Sequence, residues 1–437
     1  MKFKHITKTF LFIIVFFILQ FFIGKLLRAD YNSFARIMMK ELHSDINIDV
    51  LFLGDSHIYR AINPKEYKKT TGLDCFIAAF PGQEIDATYA ILQEALYYHP
   101  EIKHIFFDID PEQLCIDDFK NRTKLKHVYA CSNYLKNKKI KREFLLNATS
   151  PYYYLNSTLE IGKNKINPKP KLVLNTLKAH LNGNFKNDTY PTLKDESFEG
   201  RGFVLSYKTN TNFFSDNTDR ISFTPDSVSK DFVLTFDKIY NYCVANNLKL
   251  TLLSVPESPY KIFSYTNYDT LHNYIFDLCN LYNLNYLDFN FIKTEYLTLT
   301  SDDFYDAEHV NSYGAEKITN VFNELITSNF SRKYFYNDLN QKMDLNDDDI
   351  FGINILKNDD NKSFRIIPIG ILTKESKITY NIHFENKKDS SKNIDFITSE
   401  NEIKFPEHDS GKITVTCFLN DELKGSIDTT FNTRWIK

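Results

Sequence analysis

The sequence predicts an α/β fold built on a parallel five-stranded sheet, with an apolar helix before it and a small all-β domain after it. Three observations carry this expectation. Short apolar runs closed by turn formers alternate with segments whose apolar residues recur at helical spacing, the signature of β-α-β units. Phe10 to Gly24 is apolar except for Gln20. Beyond about residue 335, apolar residues fall at every second position, as in half-buried strands.

At 437 residues and 43% hydrophobic content the chain can bury at least one sizeable core, which excludes a disordered protein. A net charge of -3 gives no strongly attractive field, so composition offers no argument for nucleic-acid binding. Partners have to be sought in local features.

Lys2, Lys4 and Lys8 precede the apolar run, and Lys25 and Arg28 follow it. With these flanks the segment is long enough for a tilted membrane-spanning helix. The alternative is a cleaved signal peptide, but Gly24-Lys25-Leu26-Leu27-Arg28 is bulky and basic where small residues would be needed. Residues 1–30 are therefore expected to be an uncleaved signal anchor, with the rest of the chain outside the cytoplasm.

Phe34 to Leu42 reads as a short amphipathic helix. Asp49 to Gly54 is the first strand and is followed by a helix through Tyr67. Cys75 to Phe80 is the second strand, closed by Pro81-Gly82, and Ile85, Tyr89, Leu92 and Leu96 mark the next helix. His104 to Asp110 is the third strand. After an interruption come a helix near Phe232 to Ala245, a strand at Leu248 to Val255, a helix near Leu271 to Tyr282, a strand at Tyr286 to Phe289, and a last helix with Ile318, Val321, Phe322 and Leu325 on one face. A flavodoxin-like sheet with helices on both faces is the economical topology, over residues 31–334.

The interruption, residues 115–230, is rich in Tyr, Asn and Lys, and its first third, from Lys120 through Lys124 to Arg142, is basic. Two readings stand: a solvated helical face, or a cap resting on anionic head groups or an anionic polymer. From residue 345 to 437, Ile378-Tyr380-Ile382-Phe384 and Ile413-Val415-Cys417-Leu419 alternate with polar residues, and turn formers at Asn358 to Asn361 and Asp409 to Gly411 separate the runs, which predicts a β-sandwich. Asp344, Asp347, Asp348 and Asp349 lack the Gly and Glu of a calcium loop and read as a linker. Cys75, Cys243, Cys279 and Cys417 sit in apolar runs and read as buried thiols. Neither a metal site, nor a disulfide framework, nor an organic cofactor is expected.

Two motifs carry chemistry. Gly54-Asp55-Ser56-His57 ends the first strand, and Asp306-Ala307-Glu308-His309 precedes the last helix. In an open parallel sheet ligands bind beyond the carboxyl ends of the strands, where both motifs are expected to face one crevice. A serine needs a base and the base an orienter, so Ser56 is the candidate nucleophile, His309 the base and Asp306 the group that fixes its tautomer. Taken alone, Gly-Asp-Ser also fits a helix-capping turn, and Asp306 a cap beside a structural histidine.

Gly54-Asp55-Ser56 and Asp306-x-x-His309, in this order on five strands, resemble the SGNH/GDSL hydrolase and acyltransferase superfamily over residues 48–115 and 230–328. The resemblance implies oxyanion donation by the backbone N–H groups of Ser56 and Gly82. A Gly-x-Asn-Asp commonly found after the third strand is replaced by Asp108-Ile109-Asp110-Pro111, so either another group such as Gln83 or His57 helps the oxyanion, with Asp110 beside them, or the activity is slow. Members with one N-terminal anchor resemble alginate-type acetyltransferases and teichoic-acid D-alanylation accessory proteins. That implies O-acylation (acetylation) of a cell-surface glycan through an acyl-Ser56 intermediate, beside a multi-pass membrane O-acyltransferase. A carbohydrate esterase acting on the acylated glycan, and an inert polymer-binding scaffold, are the alternatives.

Overall fold

A computed structural model describes residues 2–27, 33–123, 125–159, 170–184, 195–209, 214–358, 363–406 and 410–432. Arg28, Lys124, the turn residues Asp359 to Asn361, and Asp409 lie outside the described residues. By contact density the chain forms two compact units. The first comprises Met1–Tyr207, Ser227–Ser254 and Cys279–Leu287, and the second Lys208–Asp226, Val255–Leu278 and Asp288–Lys437.

The first unit holds the parallel sheet. Its strands are β1 (Val50–Gly54), β2 (Cys75–Ala79), β3 (His104–Asp108), β4 (Lys249–Ser254) and β5 (Asn285–Asp288). They lie in the order β2-β1-β3-β4-β5, the flavodoxin-type order in which the strand direction of travel reverses beside β1. β1 pairs in parallel with β2 from Val50↔Cys75 to Gly54↔Ala79, and with β3 from Val50↔His104 to Leu53↔Phe107. Every residue of β1 is buried, as an apolar run without alternation requires of a strand covered on both faces. Phe52 stacks on Phe106 of β3 at 5.0 Å between ring centres.

The helices of this unit include α1 (Lys2–Leu27), α2 (Phe34–Leu42), α3 (Ile85–Tyr98), α4 (Lys138–Ala148), α5 (Pro151–Thr158), α6 (Pro170–Leu181) and α7 (Lys230–Ala245), with further helical turns at Ile58–Ala61, Pro64–Thr71, Pro111–Leu114 and Lys126–Ser132. Within α1, His5–Gly24 is 20 residues long and apolar enough to cross a membrane. Helix α3 buries more than the face its large apolar residues mark, because Ala87, Ala90, Ala95 and the carboxylate of Glu94 are also covered. Glu94 accepts hydrogen bonds from the backbone N–H groups of Lys136 (2.7 Å) and Asn137 (3.2 Å) and meets His43 Nε2 at 2.8 Å, so an acid inside the helix anchors the segment leading into α4. A buried carboxylate requires such donors.

In the second unit, strand Phe214–Asp216 and the strands β6 (Asp349–Lys357), β7 (Ser363–Ile371) and β10 (Glu402–Lys404) form one four-stranded sheet; β8 (Ile378–Asn386), β9 (Ile394–Thr398), β11 (Ser410–Leu419) and β12 (Glu422–Asn432) form another. All pairings are antiparallel except that Phe214–Asp216, from the segment read as an insert, runs parallel to β6. Ile353, Ile355, Phe364 and Ile366 of the first sheet share one apolar core with Tyr380, Ile382, Ile413 and Val415 of the second. Asp349, from the acidic run, opens β6 and pairs with Lys424 at 3.1 Å. Cys75, Cys243, Cys279 and Cys417 are buried thiols.

Ile366 is fully buried between the two sheets, so Ile366→Ala is expected to cost about 2–5 kcal/mol in a denaturant melt of the full chain.

Candidate functional site

The chain leaves β1 through Gly54, whose φ is +150° and whose absent Cβ would lie 2.9 Å from the Cβ of Asp108 and 3.0 Å from Ile58 Cγ2. Only glycine fits a turn of that sign and closeness. The turn delivers Asp55, Ser56 and His57 to the carboxyl end of a central strand, in the manner of a strand-to-helix nucleophile turn. Ser56 is half-buried, while Asp55 and His57 are buried.

Asp55 organises this turn. Its Oδ1 accepts from the His57 backbone N–H and lies 3.0 Å from His57 Nδ1, and its Oδ2 accepts from Gln113 Nε2 at 3.1 Å. Burial pushes the carboxyl up, but the charge and hydrogen bonds of His57 outweigh it, with help from Asp110, and hold it well below the usual carboxylate range. A carboxylate at Nδ1 sets the tautomer, making Nδ1 the donor and Nε2 the basic nitrogen of His57. Asp110 Oδ2 stands 3.9 Å from the same Nδ1. Among the described residues, Asp55, His57 and Asp108 are grouped closely enough to hold a metal, their ligand atoms lying within 4.8 Å of one another. Asp55 already accepts from three donors there, which is the chemistry of a hydrogen-bonded turn.

Beyond β2, Gly82 adopts φ +63°, and a Cβ on it would strike the ring of His127 at 2.4 Å. Gln83, expected from the sequence as an oxyanion donor, has its amide hydrogens taken up inside the fold. Its side chain is fully buried, and Nε2 donates both hydrogens inward, to the Ala78 carbonyl (3.2 Å) and Thr88 Oγ1 (3.0 Å). Sequence reasoning also missed what holds this loop. Arg122 pairs with Glu84 and with Asp86, its guanidinium lies 4.6 Å from the Phe119 ring centre, and its Nε donates to the Phe119 carbonyl at 2.9 Å. Despite Arg122, burial pushes the Asp86 carboxyl up to about 6. Ion pairs between residues 36 and 38 positions apart leave no local pattern to read.

The second motif lies in the second unit, where an antiparallel bridge joins Phe304 to Val310 and Tyr305 N–H donates to the His309 carbonyl at 2.7 Å. Asp306 folds its side chain into this loop. Oδ1 accepts from the backbone N–H groups of Glu308 (3.0 Å) and His309 (2.8 Å) and faces His309 Nδ1 at 2.8 Å, with Oδ2 at 3.1 Å. Nδ1 is therefore the donor, and Nε2 is the basic nitrogen of His309. The cap of the following helix α8 (Ser312–Thr327) is Asn311, whose Oδ1 accepts from Tyr313 and Gly314 N–H, so Asp306 is not the helix cap. Asp303 and Val310 leave no room for a Cβ on Gly314, and the turn above α8 is correspondingly close. Ser56, His57, Gly82, Gln83 and Asp110 thus belong to the first unit, and Asp306 and His309 to the second.

No family model matches this chain, and no curated protein matches it. A solved structure from Streptococcus pneumonia, provisionally named a platelet activating factor, is similar at 12% identity and a TM-score of 0.30, over 66% of this chain and 91% of that one. A likeness at that level carries no argument about fold or activity.

Two outcomes follow from this geometry. Gly54→Ala should lower stability by about 1–3 kcal/mol, read by thermal unfolding, because a side chain there is strained by φ and meets Asp108. Burial pushes the Asp306 carboxyl up, but the hydrogen bonds and charge of His309 prevail and lower it from 3.8 to about 2. A depressed carboxyl stabilises the fold fully above its unfolded value and loses that contribution as the pH falls through the folded one. The stability difference between the protein and Asp306→Asn should therefore stay constant above a pH of about 4 and shrink toward 2, by denaturant melts across that range.

Proposed function

We propose that the chain is a membrane-anchored serine acyl-transfer enzyme of SGNH type that works outside the cytoplasm and O-acylates a cell-surface glycan through an acyl-Ser56 intermediate. The observation that carries the reading is the clamp of Asp306 on His309 Nδ1, which leaves Nε2 as the base a serine nucleophile requires. The glycine turn that lifts Ser56 from β1, and the flavodoxin-type strand order, support it. The apolar stretch His5–Gly24 supports the anchor.

In this reading Ser56 Oγ attacks the acyl carbonyl while its proton passes to His309 Nε2. The tetrahedral oxyanion is held by backbone N–H groups at Ser56 and Gly82, and collapse expels the donor's leaving group, which takes the proton from His309. A sugar hydroxyl then repeats the sequence: its proton goes to Nε2, its oxygen takes the acyl group, and Ser56 recovers its proton. With Gln83 committed to the interior, His57 is the one remaining side chain of the two expected to help the oxyanion; to donate from Nε2 it takes a second proton and becomes the imidazolium, whose charge the Asp55 carboxylate balances. A multi-pass membrane acyltransferase is the partner this reading assigns as acyl source.

The test is acyl transfer by the full chain in detergent from an activated acetyl ester to a glycan acceptor. Ser56→Ala and His309→Ala should each lower the rate by roughly 10⁴-fold or more. Cell-surface glycan carrying less acyl group in a Ser56→Ala strain supports transfer, and glycan carrying more makes the enzyme an esterase. An unchanged rate in both variants overturns the acyl-transfer reading.

A further inference from the structure

Helix α6 (Pro170–Leu181, PKLVLNTLKAHL) has two unlike sides. Thr176 and Ala179, three positions apart, are buried. With about 100° per residue, Leu174 and Leu181 project roughly opposite to them, and both are open to the surroundings, Leu174 at 56% and Leu181 at 86%. Lys171 and Lys178, both exposed, flank this apolar strip on one side, and the helix carries no acidic residue. A soluble helix normally turns its apolar strip inward. Here the strip on the outer side has no cover among the described residues.

The place of α6 says what covers it. The helix packs against α1. Among the described side chains of α1, Gln20 and Gly24 alone are buried, and they form the last turn of the 20-residue apolar stretch His5–Gly24. The remainder of that stretch is open on all sides, as a lipid-facing helix is. Helix α6 is therefore docked at the depth where the spanning segment reaches the boundary between acyl chains and head groups.

We infer that α6 is an interfacial membrane helix, lying beside the emerging end of α1 with Leu174 and Leu181 sunk into the head-group boundary and Lys171 and Lys178 directed to anionic lipid. A cationic helix with an exposed leucine strip has the composition such a position demands, since apolar burial and attraction to anionic head groups both favour it. Its consequence is orientation. A second contact in the interface fixes which face of the first unit is turned to the bilayer. The inference rests on α1 spanning the membrane, as proposed above.

The test uses the full chain reconstituted in phosphatidylcholine–phosphatidylglycerol vesicles, in a Cys115→Ser background because Cys115 is the exposed one of the six thiols. Leu174→Cys, Leu181→Cys and, in α1, Val15→Cys are labelled one at a time with bimane, and emission is compared with and without doxyl-labelled lipid. All three positions are exposed, so the substitutions leave the core intact. Expected is loss of emission at 174 and 181 with the label near the head group, and at 15 with the label deep in the acyl chains. Lys171→Glu with Lys178→Glu should reduce the loss at 181 in these vesicles more than in pure phosphatidylcholine. Full emission at 174 and 181 with quenching at 15 overturns the inference and leaves the anchor standing, and assigns the leucine strip to a protein partner instead. Full emission at all three positions overturns both.

Discussion

The central strand Val50–Gly54 is buried at every residue and paired on both edges, so the chain can leave the sheet only where a residue tolerates positive φ against the end of β3. Gly54 is that residue, and much of the first unit follows from it. Its turn buries Asp55, and a buried carboxylate has to be satisfied by protein donors. His57 and Gln113 satisfy it, which fixes the His57 ring and ties the segment after β3 to the segment after β1. Ser56, between two buried neighbours, is left half-buried.

The same logic appears in a separate form at Asp306. There the carboxylate is more open, but it gathers two backbone N–H groups and the imidazole of one loop, and the loop is closed by the Phe304–Val310 bridge before Asn311 starts the next helix. Both motifs are an acid that holds a histidine by Nδ1 within three residues. Each motif thus presets the tautomer of its own histidine, His57 two residues after Asp55 and His309 three residues after Asp306, each in its own unit. The proposal divides labour between them: His309 as base, His57 as oxyanion support.

Much of the fold could be read from residue order. The runs at 50–54, 75–79, 104–108, 249–254 and 285–288 are strands because each is too short for a helix and closed by a glycine, proline or polar turn, and the first three are apolar with β-branched or aromatic residues. The alternation at 378–384 and 413–419 likewise gives strands whose inward residues form the sandwich core. Strand Phe214–Asp216 was not legible, since three residues carry no period, and its place is set by β6 at long range. Gln83 illustrates a different limit. An amide beside the expected oxyanion site reads as a donor, but whether its hydrogens point outward or into the Ala78 and Thr88 acceptors is decided by packing. The Arg122 pairings with Glu84 and Asp86 escaped for the same reason: charge at a distance has no spacing rule.

The central claim is that His309, oriented by Asp306, activates Ser56. The most direct measurement treats the full chain with a fluorophosphonate, which forms a stable bond only with an activated serine oxygen, and locates the adduct by mass spectrometry of the peptides. The account predicts phosphonylation at Ser56 that slows sharply in His309→Ala and is absent in Ser56→Ala. Labelling of Ser56 at the same rate without His309, or no labelling of Ser56 in the intact protein, would contradict it.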